Sequence, residues 1–180
     1  PSWRRESVTD ERRELEEGLK GLGLSATSLQ VEAMLRYLDA LEETNKSFNL
    51  TRIPRKDYVK LHLLDSLAGL SVVPLGAESA IIDIGTGAGF PGVPLATLLP
   101  QAHVTLLDST LKKVRFAAES AKSSGITNVS GLHARAEAIA HDPQFREAFD
   151  VVVSRAVAPY PRLIEWMLPL VKPGGVAVAL

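Results

Sequence analysis

Apolar residues recur at two different periods along the 180-residue chain, and the change of period divides it into two parts. In the first part the spacing is helical, and one predicted helix face consists of Val31, Met34, Leu35, Leu38 and Leu41. Such a stripe is typical of an amphipathic helix that packs on a core. The preceding Thr27–Gln30 fits a capping box, which places the start of this helix.

Two further helical segments are predicted in the first part. A helix is expected from Arg55, because Asn45–Pro54 has turn chemistry and ends in proline. Its predicted apolar face consists of Val59, His62, Leu63, Leu67 and Leu70. Residues 1–24 form a charged lead-in, in which Thr9–Leu19 is expected to be a short helix with few core contacts.

From Ala80 onward, short apolar runs alternate with helical segments, which predicts an α/β fold with a parallel sheet. The predicted strands are 80–84, 103–107 (ending in Asp108), 128–133, 149–154 and 176–180, with a turn at 172–175. Because the last apolar run stops at residue 180 and an uncovered sheet edge is a liability, further C-terminal strands are expected to be missing. The expected organisation is a helical extension, residues 1–74, packed on a domain of residues 75–180.

The first predicted strand is followed by a loop in which Gly85, Gly87 and Gly89 occupy alternate positions. Glycines allow a tight turn and a close approach of the backbone to a ligand, because they carry no Cβ. Pro91–Ala96 then fits a helix start, where proline is tolerated. A strand, a glycine loop and a helix N-terminus together predict a nucleotide-type cradle with exposed N–H groups.

The spacing of this loop differs from the dinucleotide fingerprint G-x-G-x-x-G, whose last glycine would fall on Phe90. Asp108, nineteen residues after Gly89, ends the next strand and is placed to accept hydrogen bonds from ribose hydroxyls. A role for Asp108 as a helix cap is the alternative, and both roles can coexist. An adenosine without phosphates fits this pattern, so the predicted cofactor is S-adenosylmethionine. Walker-type and serine-hydrolase motifs do not occur.

Charge and composition narrow the possible partners. A net charge of -1 provides no overall attraction to nucleic acid, so RNA binding would need a local basic patch. The densest basic segment, Lys46–Lys60, is either a solvated helix face or a phosphate-contacting surface. Without cysteine there is no disulfide, thiolate zinc site or cysteine nucleophile. The sequence contains no run of 18 apolar residues, so no membrane-spanning helix is predicted. A cytoplasmic location is expected.

Asp83–Ala96, with its Phe90-Pro91-Gly92-Val93-Pro94 tail, resembles motif I of the bacterial 16S ribosomal-RNA guanine-N7 methyltransferase family, historically called glucose-inhibited division protein B. Further segments that agree with this family are Phe48–Thr51, His62–Leu67, Leu107–Ser109 with Lys112–Lys113, Arg135–Glu137 and Ser154–Ala158. The resemblance covers about residues 30–180. It implies a Rossmann-like class I methyltransferase that acts on 16S rRNA or the small ribosomal subunit, and whose sheet continues beyond residue 180. A monomer is expected.

The resemblance also implies site residues. Those expected to bind the cofactor are Gly85, Thr86, Gly87, Gly89, Phe90, Asp108, Ser109, Ala136, Glu137 and Arg155. Gly85 and Phe90 would line the pocket, and Thr86, Gly87 and Gly89 would shape the loop. Arg155 is also the predicted catalytic residue, near the methyl group and the incoming guanine. The alternative for Arg155 is a buried ion pair with an acid such as Glu137 or Asp83. The alternative for Glu137 is a surface position on a helix.

The candidate RNA contacts are Arg52, Arg55, Lys56, Lys60, Lys112, Lys113 and Arg115. Guanine N7 has a lone pair and no proton to lose, so its methylation can rest on proximity and orientation. His62 and Asp65 share a helix face, but without a third ligand a packed histidine is favoured over a metal site. The competing hypotheses are a methyltransferase for a small molecule or protein, a nicotinamide-dependent oxidoreductase, and a non-catalytic ribosome-associated protein.

Overall fold

A computed structural model of the chain describes residues 2–69, 71, 73, 75–155 and 158–180. Within these residues, the sheet contains β1 (Ala80–Ile84), β2 (His103–Asp108), β3 (Val129–His133), β4 (Phe149–Ser154) and β5 (Val171–Ala179). The order across the sheet is β3-β2-β1-β4-β5, and every neighbouring pair is parallel. This confirms the predicted α/β class. The strand order reverses at β1 and β4, and ligands of open α/β sheets bind outside the carboxyl ends at such a point.

Helices flank the sheet and precede it. They are α1 (Ser2–Gly21), α2 (Ser28–Asn45), α3 (Asp65–Ala68), α4 (Gly92–Leu98), α5 (Leu111–Ser123), α6 (Ala136–His141) and α7 (Tyr160–Met167). The helix predicted from Arg55 consists of three conformations in series: a 3₁₀ turn at Arg55–Asp57, a π-helix at Val59–Leu64, and then α3. A second 3₁₀ turn, Leu168–Leu170, joins α7 to β5.

The start and the buried face of α2 are as predicted. Gln30 N donates to Thr27 Oγ1 and Thr27 N donates to Gln30 Oε1, which completes the capping box. All five predicted core residues of this helix are buried. Tyr37, which sequence reasoning did not single out, is also fully buried on the same helix.

The expectation for the lead-in was wrong, because α1 is long and contributes to the core. Leu15 and Leu19, one turn apart, are both buried. Between them, Gly18 lies so close to Leu64 that an added Cβ would overlap that side chain. The missing side chain lets α1 approach the π-helix closely, and this approach buries its leucine pair.

Buried apolar side chains cover both faces of the sheet, as in a three-layer α/β fold. One face packs against α4, α5 and the N-terminal helices, and its buried cluster includes Leu38, Leu63, Ile81 and Val104. The other packs against α6 and α7 through Ile82, Ile139 and Met167, among others. The domain boundary after residue 74 stays a prediction. Leu70, which was assigned to a core face, and Pro74 lie outside the described residues.

The predicted turn at residues 172–175 lies inside β5. Phe149 pairs with Val171 and Val151 pairs with Val176, so residues 172–175 form an irregularity in the strand register. Gly174 has a φ of +82°, which favours glycine. The predicted strand from Val176 pairs with β4 as far as Ala179. Among the described residues, no helix is long and apolar enough to cross a membrane.

Candidate cofactor site at the carboxyl edge of the sheet

The side chain of Asp83, in β1, connects the glycine loop to the start of α4. Its Oδ2 accepts hydrogen bonds from Thr86 Oγ1 (2.7 Å) and from the backbone N–H of Gly92 (2.8 Å), at the start of α4. Burial raises the pKa of this carboxyl to about 6, although these two donors and the positive charge of Arg155 act in the opposite direction. Its other oxygen, Oδ1, is buried and has no hydrogen-bond partner among the described residues.

The loop itself is stabilised on two sides. Thr86 N donates to Leu107 O (2.8 Å), which ties the loop to β2. On the side of α2, Tyr37 Oη donates to Ala88 O (2.7 Å). Gly89 has a φ of +95°, and an added Cβ there would overlap the Tyr37 hydroxyl. A glycine is therefore required at this position for both conformation and packing.

Asp108 connects the end of β2 to the loop. Its Oδ2 accepts a hydrogen bond from Gly87 N (3.0 Å), and its Oδ1 accepts one from Thr110 N (2.8 Å). The residue is 7% exposed and lines a cavity. The N-cap of α5 is Thr110, so Asp108 is not the cap residue itself. Its hydrogen bond with Thr110 N instead stabilises the turn that precedes the helix. Each oxygen retains capacity for a further donor.

The cavity has a volume of about 420 Å³ and lies at the carboxyl ends of β1, β2 and β4. The predicted cofactor residues that line it are Gly85, Gly87, Asp108, Ser109, Ala136, Glu137 and Arg155. Sequence reasoning missed part of the lining: Ile84, Leu107, Thr110, Ala134, Arg135 and Trp166. The strand ends Ile84 and Leu107 could have been inferred from their neighbours in sequence. Trp166 could not, since its position depends on how α7 folds back over the sheet.

Three of the predicted residues lie behind the loop and outside the cavity lining. Thr86 is buried against Asp83, and Gly89 lies under Tyr37, which agrees with a role in shaping the loop. Phe90 was expected to line the pocket, but its buried ring packs edge-on against Tyr37 and parallel to His62. The structure corrects this expectation: the aromatic ring is a support for the loop.

Arg155 lies directly after β4 and reaches the π-helix and the start of α3. Its Nη1 donates to Leu61 O (3.1 Å) and Ser66 Oγ (3.3 Å), and it forms an ion pair with Asp65 (3.3 Å). Its Nη2 is 3.2 Å from His62 Nδ1. The alternative from the sequence, an ion pair with an acid, is present, but the carboxylate partner is the exposed Asp65 and neither Glu137 nor Asp83. The following Ala156 and Val157 lie outside the described residues.

His62 is the packed histidine that was predicted. Its Nε2 lies 2.9 Å from Thr51 Oγ1, and its ring centroid is 4.5 Å from that of Phe90, with 10° between the planes. Burial, with the nearby positive charge of Arg155, lowers its pKa to about 4. Among the described residues, no group of three or more His, Asp or Glu side chains is placed to hold a metal ion.

The predicted RNA contacts fall into exposed, partly buried and paired groups. Arg52, Lys56, Lys60, Lys112 and Arg115 are exposed, and Lys113 lines the cavity. Lys112 Nζ lies 5.6 Å from the centroid of the Phe48 ring, which brings the start of α5 next to the loop after α2.

Arg55 differs from the rest of that set. Its side chain is only 19% exposed and is within ion-pair distance of Glu11 (2.7 Å), Asp39 (2.6 Å) and Glu42 (4.0 Å). A guanidinium engaged by three carboxylates is not available to a phosphate. The geometry therefore argues against the predicted RNA contact at Arg55.

A parallel sheet with a glycine loop after β1 and an acid at the end of β2 defines a Rossmann-like methyltransferase fold, and solved structures agree. The S-adenosylhomocysteine complex of a methyltransferase from Thiobacillus denitrificans superimposes with a TM-score of 0.54, at 19% identity, over 77% of this chain and 54% of that chain. The [4+2]-cyclase SpnF gives a TM-score of 0.60 at 20% identity, covering 86% and 60% of the two chains. These similarities establish the fold, and the cyclase illustrates that the fold does not fix the reaction.

Sequence relatives are more specific. Residues 30–180 match the GidB family model, described as rRNA small subunit methyltransferase G. The relative of that name in Alkaliphilus oremlandii (strain OhILAs) is 44% identical over 162 residues, covering 89% of this chain and 68% of the relative. That in Desulfitobacterium hafniense (strain Y51) is 45% identical over 159 residues, covering 88% and 65%. The chain belongs to the rRNA small subunit methyltransferase G family, which confirms the resemblance found in the motifs.

Proposed function

We propose that this chain transfers a methyl group from S-adenosylmethionine to N7 of a specific guanine in 16S ribosomal RNA. One observation carries the proposal: the cavity at the switch point of the sheet unites Gly85, Gly87, Asp108 and Arg155 in a chain of this family. Family membership favours rRNA methylation over the nicotinamide-dependent and small-molecule alternatives.

The residues at the cavity fit this cofactor. The volume of about 420 Å³ falls within the range of about 300–1,000 Å³ for small-molecule sites. Gly85 and Gly87 present backbone without side chains, and Asp108 has free lone pairs for ribose hydroxyls. Asp83 Oδ1, a buried carboxylate oxygen without a hydrogen-bond partner among the described residues, lies beneath the loop and outside the cavity lining. The glycine backbone and the Asp108 carboxylate together fit a nucleoside.

Methyl transfer to guanine N7 requires mainly that the methyl donor and the base are correctly positioned. S-adenosylmethionine, when bound, supplies a methyl group on a sulfonium. No residue has to remove a proton from guanine, because N7 reacts through its lone pair, so the chain contributes proximity and orientation. Arg155 lines the cavity, next to the space in which the cofactor would bind. A contact of Arg155 with guanine O6 or with a phosphate would orient the base and leave N7 free.

The RNA would approach across exposed basic side chains on the loop after α2, the helical segment 55–68 and the start of α5. The exposed side chains are Lys56 and Lys60 in the helical segment, and Lys112 and Arg115 at the start of α5. Such contacts position RNA without reading its sequence. The target guanine would have to be unpaired or flipped out to reach the cavity. We further propose that the protein acts as a monomer in the cytoplasm.

Transfer of tritiated methyl groups to 16S rRNA and to small ribosomal subunits, followed by mapping of the modified base, tests the proposal. Label at N7 of one guanine is expected, and no label in either substrate would overturn it.

Arg155→Ala should lower methyl transfer more than it lowers the affinity for S-adenosylmethionine. Equal losses would make Arg155 a cofactor-binding or folding residue. Arg146→Ala, at an exposed arginine before β4, is the matched control and should change neither quantity.

A further inference from the structure

His62 lies at the meeting point of the π-helix, the end of β4 and the glycine loop. Its side chain is buried, its ring stacks on Phe90, and both of its ring nitrogens have polar neighbours. Nδ1 faces Arg155 Nη2 at 3.2 Å and Nε2 faces Thr51 Oγ1 at 2.9 Å. The proposed methyl transfer gives this imidazole no chemical step of its own.

The two neighbours select one protonation state of the ring. A guanidinium has N–H donors and no acceptor, so Nδ1 must offer its lone pair to Arg155. The proton of the neutral imidazole then resides on Nε2, where it is donated to Thr51 Oγ1. The hydrogen bonds thus specify a neutral imidazole with Nε2–H.

The contact between His62 and Arg155 constrains the part of the guanidinium that the other contacts leave free. Nη1 has three acceptors, Leu61 O, Asp65 Oδ2 and Ser66 Oγ. Among the described residues, the hydrogen bond of Nη2 is to His62. Holding both terminal nitrogens fixes the plane of the guanidinium, whose carbon lies 5.7 Å from the centroid of the Phe90 ring. Without the second anchor the plane can rotate about the remaining contacts.

We propose that His62 is a positioning residue for methyl transfer: as a neutral acceptor it fixes the orientation of Arg155 at the cofactor cavity, and its protonation releases that arginine. The activity readout rests on the proposed function, whereas the protonation state of His62 does not. A protonated ring would point Nδ1–H at a second cation.

The surroundings of the ring support a neutral state at physiological pH. Arg155 is the charged group that faces the ring from the end of β4, and Tyr58, on the ring's own segment, is 5.2 Å away between centroids. Asp65 is paired with Arg155, and Asp83 lies beneath the loop and interacts electrostatically with the same arginine. Phe90 and Thr51 do not titrate. Burial, with Arg155, lowers the pKa of His62 to about 4.

Two substitutions separate positioning from packing. His62→Phe keeps a ring that can stack on Phe90 but has no acceptor for Arg155, and His62→Asn removes the ring but keeps an acceptor near the position of Nδ1. We expect His62→Phe to lower kcat about 10- to 100-fold with cofactor affinity changed less than about threefold, because misplacement by 1 Å can cost about 100-fold. His62→Asn should retain more activity than His62→Phe. The reverse order would show that stacking is what matters and would overturn the proposal.

A double substitution provides an internal control. If His62 acts through Arg155, adding His62→Phe to Arg155→Ala should lower kcat no further, because the group to be positioned is absent. Independent, multiplying losses would contradict the proposal. Thermal unfolding of each variant shows whether it is folded at the assay temperature.

The protonation state can be measured without any methyl transfer. In ¹⁵N NMR of the whole chain, the His62 signals are identified by their loss in His62→Asn. We expect an Nε2–H imidazole at pH 7 that stays neutral down to about pH 5. An Nδ1–H tautomer, or a ring that titrates near 6.5, would overturn the inference. If instead the wild type shows this tautomer but does not methylate rRNA, the proposed function fails and the assigned hydrogen-bond geometry stands.

Discussion

At the scale of single residues, Asp83 gives the clearest pH signature. Its pKa in the folded protein is about 6, above the ordinary value of 3.8, so between these values the folded state keeps a proton that the unfolded chain has released. The free energy of unfolding contributed by Asp83 therefore falls as pH rises from about 4 to 6 and is constant above that. In Asp83→Asn, which cannot ionise, this dependence should be absent.

Denaturant unfolding at a series of pH values tests this. The difference in unfolding free energy between wild type and Asp83→Asn should decline from pH 4 to pH 6 and then level off. Asp150→Asn is an opposite-sign control, because hydrogen bonds from Ala80 N and Lys172 hold the pKa of Asp150 below its usual value. Its stabilisation should be lost as the pH falls below about 4. A flat difference for Asp83 would mean that the carboxyl ionises normally in the folded state.

Asp108 carries a prediction about affinity. Its carboxylate accepts hydrogen bonds from Gly87 N and Thr110 N and retains capacity for ribose hydroxyls. Asp108→Ala should weaken the binding of S-adenosylhomocysteine by about 1–3 kcal/mol, because the ribose hydroxyls would be buried in the complex without their acceptor. Isothermal titration calorimetry measures the change, with Glu119→Ala, an exposed acid on α5, as the control. Unchanged affinity would remove Asp108 from the site.

How far the site could be predicted depended on the kind of residue. Gly85 and Asp108 were identifiable because a glycine loop and a strand-ending acid are positioned by local sequence alone. Phe90 was assigned to the lining and lies behind the loop, since the direction of its ring depends on Tyr37 and His62, which are distant in sequence. The unpaired Oδ1 of Asp83 is likewise a consequence of tertiary packing that no spacing reveals.

At the scale of elements, α2 determines the shape of the glycine loop through one hydroxyl. Tyr37 is fully buried, and burial raises its pKa well above the ordinary value, so it remains a donor to Ala88 O. Tyr37→Phe leaves that carbonyl without this donor and should lower the free energy of unfolding by about 1–3 kcal/mol. Because Ala88 lies in the loop, cofactor affinity should fall as well.

Urea unfolding and titration with S-adenosylhomocysteine test the two effects of Tyr37→Phe. Tyr160→Phe, at a tyrosine that is 65% exposed, removes the same hydroxyl elsewhere and should be neutral in both assays. Unchanged stability in Tyr37→Phe would show that the buried hydrogen bond makes no net contribution. A destabilised variant with unchanged affinity would show that the loop keeps its shape without it.

The elements that were predicted well are those with strong periodic patterns. The bounds of β1 and β4 and the capped start of α2 follow from local sequence, and the structure agrees. The core role of α1 was missed because Leu15 and Leu19 stand among many charged residues. Their burial depends on the close approach of α1 to the π-helix, which Gly18 allows and which local sequence does not reveal. The π-helix was not predictable either, because its contacts include residues that are distant in sequence: Leu61 O accepts a hydrogen bond from Arg155, ninety-four residues further along the chain.

At the scale of the whole molecule, the basic side chains serve two purposes: some stabilise the fold through ion pairs, and others remain exposed for the proposed binding of RNA. With a net charge of -1, attraction to RNA has to come from the placement of exposed lysines and arginines. The sequence showed the density of charge between Lys46 and Lys60 but not its use. In the fold, Arg55 links α1 and α2 through Glu11 and Asp39, whereas Lys56 and Lys60 remain exposed.

Salt dependence of RNA binding distinguishes these uses of charge. Each lysine that contacts a phosphate should contribute about 0.7–1 to the slope of log affinity against log salt concentration, because it displaces bound counterions. Fluorescence anisotropy with a 16S rRNA fragment at several salt concentrations measures this slope. Lys112→Ala should lower it by about 1, whereas Arg55→Ala should leave the slope unchanged and lower the free energy of unfolding.

Lys122 provides a matched control on the same helix. It is exposed in the last turn of α5, about 15 Å along the helix axis from Lys112 and away from the carboxyl edge of the sheet. Lys122→Ala changes the net charge of the protein by the same amount as Lys112→Ala. If binding depended on overall charge, both substitutions would lower the affinity equally. A loss confined to Lys112→Ala would place the RNA at the edge where Asp108 and Arg155 line the cavity, while equal losses would contradict that orientation.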